Sequence, residues 1–346
     1  MTRPRPLVTV VIPVLNEAVR LPDCLVSVST QDLPAERVEV LVVDGGSTDG
    51  TVDVAERLLA GGGWARAAVL HSAAGDRSSN LNTGLAAASA PVVVRVDARS
   101  RIPAHYLRTC LELLDSRTDV AVVGGRQRAV AVGTGAVEVG VARALNNRWG
   151  MGLARYRRAS ASSKADTVYL GAYRIAELRA VDGWNTDFGV NEDFDLNRRL
   201  ARFGAVWFDA SLTVDYVPRA SLPSLVGQYW SFGKGKARYW RISGDRPQPR
   251  QLVLLAAPVV GLAVFGVVLT ALGAGAAAML VGAGAAVSAA VEIRGSDGPP
   301  AGVRAHAAAI AALACVGGAW LAGVTVGSVQ PAPSLVAVGR PLGRAA

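Results

Sequence analysis

Val8 to Val14 is an unbroken apolar, mostly β-branched run, and Val38 to Val43, Val92 to Val96 and Val120 to Val123 repeat the pattern. Short runs without alternation predict strands buried on both faces of a parallel sheet. Ala65 to Leu70 is a weaker strand of the same kind. Between the strands the spacing becomes helical: Leu21 to about Thr30, a segment with Val54, Leu58 and Leu59 on one side, Asn80 to Ala88, and about Ala104 to Leu114. This alternation predicts an α/β fold, a mostly parallel sheet flanked by helices on both faces. Thr167 to Tyr173, Ala205 to Phe208 and Leu212 to Val217 read as further short strands. Residues 125–167 are less regular and basic, with Arg126, Arg128, Arg143, Arg148, Arg155, Arg157, Arg158 and Lys164.

Beyond residue 250 the pattern changes. No charged residue occurs from Leu252 to Val291, about twice the ~20 residues that span a bilayer. Gly273 to Gly275 is the expected break within it, and Val303 to Val329 is a further apolar stretch. Two or three transmembrane helices are expected, near 252–272, 275–292 and 304–328, rich in small residues that allow close helix packing. Gln228 to Trp240 interleaves aromatics with cations, which favours the headgroup zone. The chain thus divides into a domain at 1–245 and a membrane region at 246–346. Lys234, Lys236, Arg238, Arg241, Arg246 and Arg250 put the preceding side in the cytoplasm by the positive-inside rule, whereas Arg340 and Arg344 weakly oppose an external C-terminus. No signal-peptide core follows Met1 to Pro6, so the first domain is expected to stay cytoplasmic.

Charge sharpens this. The 346 residues carry a net charge of +9, and 51% of them are hydrophobic. Such a balance suits nucleic acid, a membrane surface or an anionic substrate. The basic residues stand just before the apolar tract and no nucleic-acid module is visible, which favours the membrane. Cys24, Cys110 and Cys315 lie far apart, and His71, His105 and His306 do not cluster, so neither set predicts a metal site.

Three polar clusters follow predicted strands: Asn16 and Glu17, Asp44, and Asp97. Ligands bind beyond the carboxyl ends of strands in such sheets, so this coincidence of place marks a site. A fourth cluster, Glu192, Asp193 and Asp195, opens a helix on which Leu196, Leu200 and Phe203 share a face and Asn191 is the expected N-cap. Acids in a first helical turn also complement the dipole, so a capping and a catalytic role are both open for Asp193.

These residues resemble the family 2 glycosyltransferases of the GT-A, Rossmann-like fold. The opening Val8-Thr9-Val10-Val11-Ile12-Pro13-Val14-Leu15-Asn16-Glu17, the loop Asp44-Gly45-Gly46-Ser47-Thr48-Asp49-Gly50-Thr51, the helix Ser78 to Leu85, Asp97, and the pair Glu192-Asp193 carry the resemblance over about residues 7–240. Tyr169 to Arg174, Gln228 to Trp230 and the apolar tail are nearest to the ExoA-like subgroup of succinoglycan-biosynthesis transferases. The resemblance implies inverting transfer of a sugar from a nucleotide-diphosphate donor to a lipid-linked or polysaccharide acceptor at the cell membrane, for cell-surface or exopolysaccharide synthesis. Membrane lipids are implied partners and nucleic acid is not. Asp193 is implied as general base, with Glu192 orienting the acceptor or the loop. Pro13, Leu15, Glu17, Asp44, Gly46, Ser47, Arg77, Asn82 and Asp97 would line the nucleotide-sugar site, and Gly171, Trp184, Gln228 and Trp230 the acceptor side. Asp97 would hold a divalent cation, Mg²⁺ or Mn²⁺. At a helix start the Asp193 carboxyl is expected to have a lowered pKa, and Asp195 to face solvent or pair with Arg198 or Arg199.

One departure matters. Ala98 and Arg99 follow Asp97, so the second acid of the family's Asp-x-Asp is missing. Either Asp97, phosphate oxygens and water hold the cation, or Arg99 supplies positive charge directly. Other readings are a nucleotidyltransferase, which the Asp44 loop disfavours, and a non-catalytic membrane scaffold with a degenerate transferase domain.

Overall fold

The computed structural model describes residues 4–147, 160–295 and 301–330. Arg148, Arg155, Arg157 and Arg158 of the basic stretch, and Arg340 and Arg344, lie outside them. The chain forms two compact units, one of residues 4–130 and 160–218, the other of residues 131–147, 219–295 and 301–330.

The first unit runs β1 (Val8–Val14), α1 (Leu21–Ser29), β2 (Val38–Asp44), α2 (Thr51–Ala60), β3 (Arg66–His71), α3 (Arg77–Ala87), β4 (Val92–Arg95), β5 (Ser100–Arg101), α4 (Tyr106–Ser116) and β6 (Val120–Ala129). The helix α5 (Ala136–Asn146) belongs to the other unit. The first unit resumes with β7 (Ser163–Lys164), β8 (Tyr169–Arg174), α6 (Ile175–Ala180), α7 (Glu192–Leu200) and β9 (Ala205–Tyr216). The strands form one sheet in the order β3-β2-β1-β4-β8-β6-β9-β5, with β7 on β9.

Strands β3, β2, β1 and β4 are parallel, as the apolar runs require. Val8, Val10, Ile12 and Val14 enter one buried cluster, while Val11 enters the other with Leu41, Leu81 and Leu85. A strand packed on both faces leaves no place for alternation. Beyond β4 the sheet is mixed: β8 lies antiparallel between β4 and β6, and β6 is parallel to β9. The two short strands expected at 205–217 are one, because β9 stays paired with β6 across a register shift between Gly124 and Arg126. On α2 the buried face is Thr51, Ala55 and Leu59, and Leu58 points to solvent.

In the second unit, α5, α8 (Leu222–Ser243), α9 (Pro249–Gly295) and α10 (Val303–Val329) pack together. The helix α9 breaks at Gly273, whose φ of +85° is open to glycine. Two helical stretches, Gly273–Gly295 and Val303–Val329, are long and apolar enough to cross a membrane. The segment 252–272, expected to be a further span, is the helical part of α9 before the break. Helices α8 and α10 meet through glycines: a Cβ at Gly327 would lie 2.9 Å from that of Ala237. Besides residues 131–147, this unit takes in α8, which packs on α10. The helix α5 is not evident in the sequence. It belongs to this unit through Arg143, whose Nε lies 2.7 Å from the fully buried Glu292, itself bonded to His306 at 2.5 Å.

Candidate active site

The first walls are two loops sewn together beyond β1 and β2. Asp44, buried at the end of β2, accepts hydrogen bonds from the backbone of Gly46 (3.0 Å) and Ser47 (3.1 Å). Gly46 has φ of +96°, which this turn needs and a side chain would resist. Ser47 Oγ accepts from the Asn16 amide at 2.8 Å, Asn16 Oδ1 from that of Thr48 at 2.8 Å, and Thr51 Oγ1 from that of Glu17 at 2.8 Å. Pro13 and Val14 pair with Val43 and Asp44, which sets Leu15, exposed, and Glu17 beside this loop. The turn-rich Asp44 segment therefore shapes the strand end as well as lining it.

At the end of β4 stands Arg95, which no sequence motif marks. It is 3% exposed and gathers three carboxylates. Its Nε lies 2.8 Å from Asp97 Oδ1 and its Nη2 3.3 Å from Asp97 Oδ2. Its Nη1 reaches Glu192 Oε1 at 3.3 Å and also donates to Asp193 Oδ1. Arg77, at the start of α3, donates to the same Glu192 oxygen at 3.3 Å. One signal was available: a charge ending a buried apolar strand must have partners.

Glu192 is buried, and its Oε1 sits between two arginines, so that oxygen serves to hold Arg77 and Arg95. Asp193 is different. A third of its side chain is open to solvent, and it accepts from Trp184 Nε1 at 3.2 Å. Trp184 is buried, edge-on to Tyr173 at 5.7 Å. Asn82 holds the Trp184 backbone from both ends of its amide, at 2.7 and 2.8 Å, which occupies that amide. Gly171, on β8, leaves room for the Tyr173 hydroxyl. Gln228 and Trp230 sit on α8, in the second unit.

Several expectations for α7 change. Asn191 stands before the helix with φ of +68° and its side chain makes no capping bond, so backbone shape rather than a cap starts this helix. Asn tolerates this left-handed conformation better than most side chains. Leu196 and Leu200 are fully buried, but Phe203 lies past the end of α7 and is exposed. For Asp195 the expected pairing holds: it meets Arg199 at 2.8 Å and is buried rather than solvent-facing.

The Asp193 carboxyl is not lowered. Desolvation pushes it up to about 6; Arg95 pulls against that, and Glu192 adds to the rise. The dipole of this short helix is the weaker effect. Burial also raises the Asp97 carboxyl, but Arg95 and Arg77 win and hold it below its usual value. Desolvation disfavours the Arg95 charge, yet Asp193, Asp97 and Glu192 keep its pKa well above the arginine norm. Burial pushes the Cys24 and Cys110 thiols far up, so neither is a nucleophile.

The donor set for a divalent cation is poor. Both Asp97 oxygens accept from Arg95. Arg99 stands where the second acid was expected, its Nε 2.7 Å from Glu17 Oε1. No group of three His, Cys, Asp or Glu side chains among the described residues could hold a metal ion. Side chains in this arrangement do not fit a divalent cation.

A family model described as Glycosyl transferase family 2 matches residues 9–157. "Succinoglycan biosynthesis protein ExoA" of Rhizobium meliloti (strain 1021) is 31% identical over 257 residues, 72% of this chain and 75% of that protein. "Dolichyl N-acetyl-alpha-D-glucosaminyl phosphate 3-beta-D-2,3-diacetamido-2,3-dideoxy-beta-D-glucuronosyltransferase" of Methanococcus voltae is 23% identical over 269 residues, 75% of this chain and 83% of that one. The structure of a mannosyltransferase from Pyrobaculum calidifontis, in complex with GDP-Man and Mn²⁺, shares the fold at a TM-score of 0.60 and 22% identity, covering 90% of this chain and 87% of that one.

Proposed function

The chain belongs to glycosyl transferase family 2 and is a glycosyltransferase; from that premise we propose that it moves a sugar, with inversion, from a nucleotide-diphosphate donor to a lipid-linked or polysaccharide acceptor at the cell membrane. The observation that carries this reading is the Asp193 carboxylate, partly open, fixed by Arg95 and the Trp184 indole, and raised to about 6. A base with that pKa is ionised near neutrality and takes a proton more readily than an ordinary carboxylate. The relatives named for succinoglycan and for a dolichyl phosphate sugar support the acceptor class, and the GDP-Man in the mannosyltransferase supports the donor class.

In this mechanism Asp193 takes the proton of the acceptor hydroxyl as that oxygen attacks the anomeric carbon. The bond from that carbon to the phosphate oxygen breaks, and its electron pair leaves with the diphosphate. Arg95 and Trp184 hold the base in line, and Glu192 holds Arg95 and Arg77 in turn. Pro13, Leu15, Glu17, Asp44, Gly46 and Ser47 take the nucleoside half at the ends of β1 and β2. Asn82 acts through the Trp184 loop. The apolar helices of the second unit serve as the anchor, and the basic residues of α8 support a cytoplasmic side for the transferase unit by the positive-inside rule. A panel of nucleotide sugars, offered to membranes containing the chain, tests the reading. One donor should be consumed with release of its nucleoside diphosphate and appearance of a glycosylated product of inverted anomeric configuration. Release without inversion, or no release with any donor, would contradict it.

A further inference from the structure

We propose that Arg99 takes the place of the divalent cation at the donor's diphosphate. This rests on the donor reading above and goes beyond it. Two observations carry it. Asp97, the single carboxylate at the end of β4, has both oxygens engaged by Arg95, at 2.8 and 3.3 Å. Two residues on, Arg99 is anchored through Nε alone to Glu17 at 2.7 Å, and no described residue bonds its two Nη groups.

The charges balance without a metal. Two carboxylates and a divalent cation sum to zero. Asp97 and Arg99 also sum to zero, because replacing an acid by arginine brings the two positive charges that the cation would have brought. The remaining arrangement suits phosphate. Glu17 fixes the guanidinium by one edge and leaves both amino ends for two phosphate oxygens, the fork geometry that arginine offers and lysine does not. Arg99 is 23% exposed, so its charge is neither fully solvated nor sealed from a ligand. It also lies in the loop after β4, where the sheet presents its carboxyl end. Arg95 plays a separate part: it is 3% exposed, and four of its five N–H donors go to three carboxylates, which leaves Arg99 the better placed for a phosphate.

The test is nucleoside diphosphate binding to the full chain in detergent, by calorimetry, with GDP and UDP as probes, in excess chelator and in Mn²⁺. The wild type should bind one probe equally well in both. Arg99→Asp, which restores the second acid, should lose about ten- to a hundredfold in affinity in chelator and regain it with Mn²⁺. Arg99→Lys should keep metal-free binding but weaken it, which separates charge from a folding defect. Wild-type binding that disappears in chelator and returns with Mn²⁺ would overturn this inference and leave the donor reading intact. Absence of binding of GDP and UDP alike under both conditions would overturn this inference, and the donor reading falls with it only if the nucleotide-sugar panel also shows no turnover.

Discussion

Asp193 differs from its neighbours by environment rather than residue type. Glu192 is sealed between Arg77 and Arg95, Asp195 is paired with Arg199, and Asp193 alone combines an open oxygen with a pKa raised to about 6. The sign of its pH effect follows. Its folded pKa lies above the ordinary aspartate value of 3.8, so the basic form accumulates as pH rises through about 6 and is lost below it. The turnover number should therefore show an acidic limb near about 6, measured across buffers of constant ionic strength; that limb belongs to the carboxylate cluster around Arg95 as a unit. Trp184→Phe keeps the ring against Tyr173 and deletes the donor to Asp193. It should lower turnover by up to about tenfold with donor affinity unchanged, read by steady-state kinetics against calorimetry. The sequence displayed Asp193, Asp97 and Asp44, since acids at strand ends are visible by position. It hid Arg95, because one cation closing a run of valines looks like a boundary until the three carboxylates from distant segments meet on it.

Among elements, β4 and α7 form the working pair. Arg95 ends β4 and the carboxylates open α7, so one guanidinium fixes strand to helix. Arg95→Met leaves buried Glu192 with half of its support and should destabilise the transferase unit by about 3–5 kcal/mol, seen as a drop in denaturation midpoint. It should also move the acidic limb of turnover to higher pH, because Arg95 opposes the rise at Asp193. Valine-rich strands β1, β2 and β4 were legible because burial on both faces demands continuous apolar residues. The antiparallel entry of β8 between β4 and β6 was not, since no local pattern distinguishes the direction of a buried strand. Helix α5 stayed hidden for a related reason: it lies in a basic stretch, and the partner of Arg143, Glu292, is far away in sequence.

For the whole molecule, the two units have different physics. One is a sheet closed by two apolar layers; the other is a set of helices with two membrane-length stretches and glycine-lined packing between α8 and α10. The chain should stay with membranes through an alkaline carbonate wash and leave them only in detergent, followed by fractionation and immunoblot. Recovery in the soluble fraction would argue against anchoring by Gly273–Gly295 and Val303–Val329. A Gly327→Leu change should part α8 from α10, because the Ala237 Cβ is only 2.9 Å from where a Cβ would stand; lower thermal stability in detergent would report it.

Comparing wild type with Asp193→Asn, using the donor that a nucleotide-sugar panel identifies, tests the catalytic account most directly. The variant keeps the size and the polarity of the side chain and loses the base. Glycosylated product should form about 10²- to 10⁴-fold more slowly, while donor binding by calorimetry stays at the wild-type level. Wild-type turnover in the variant would contradict Asp193 as the base.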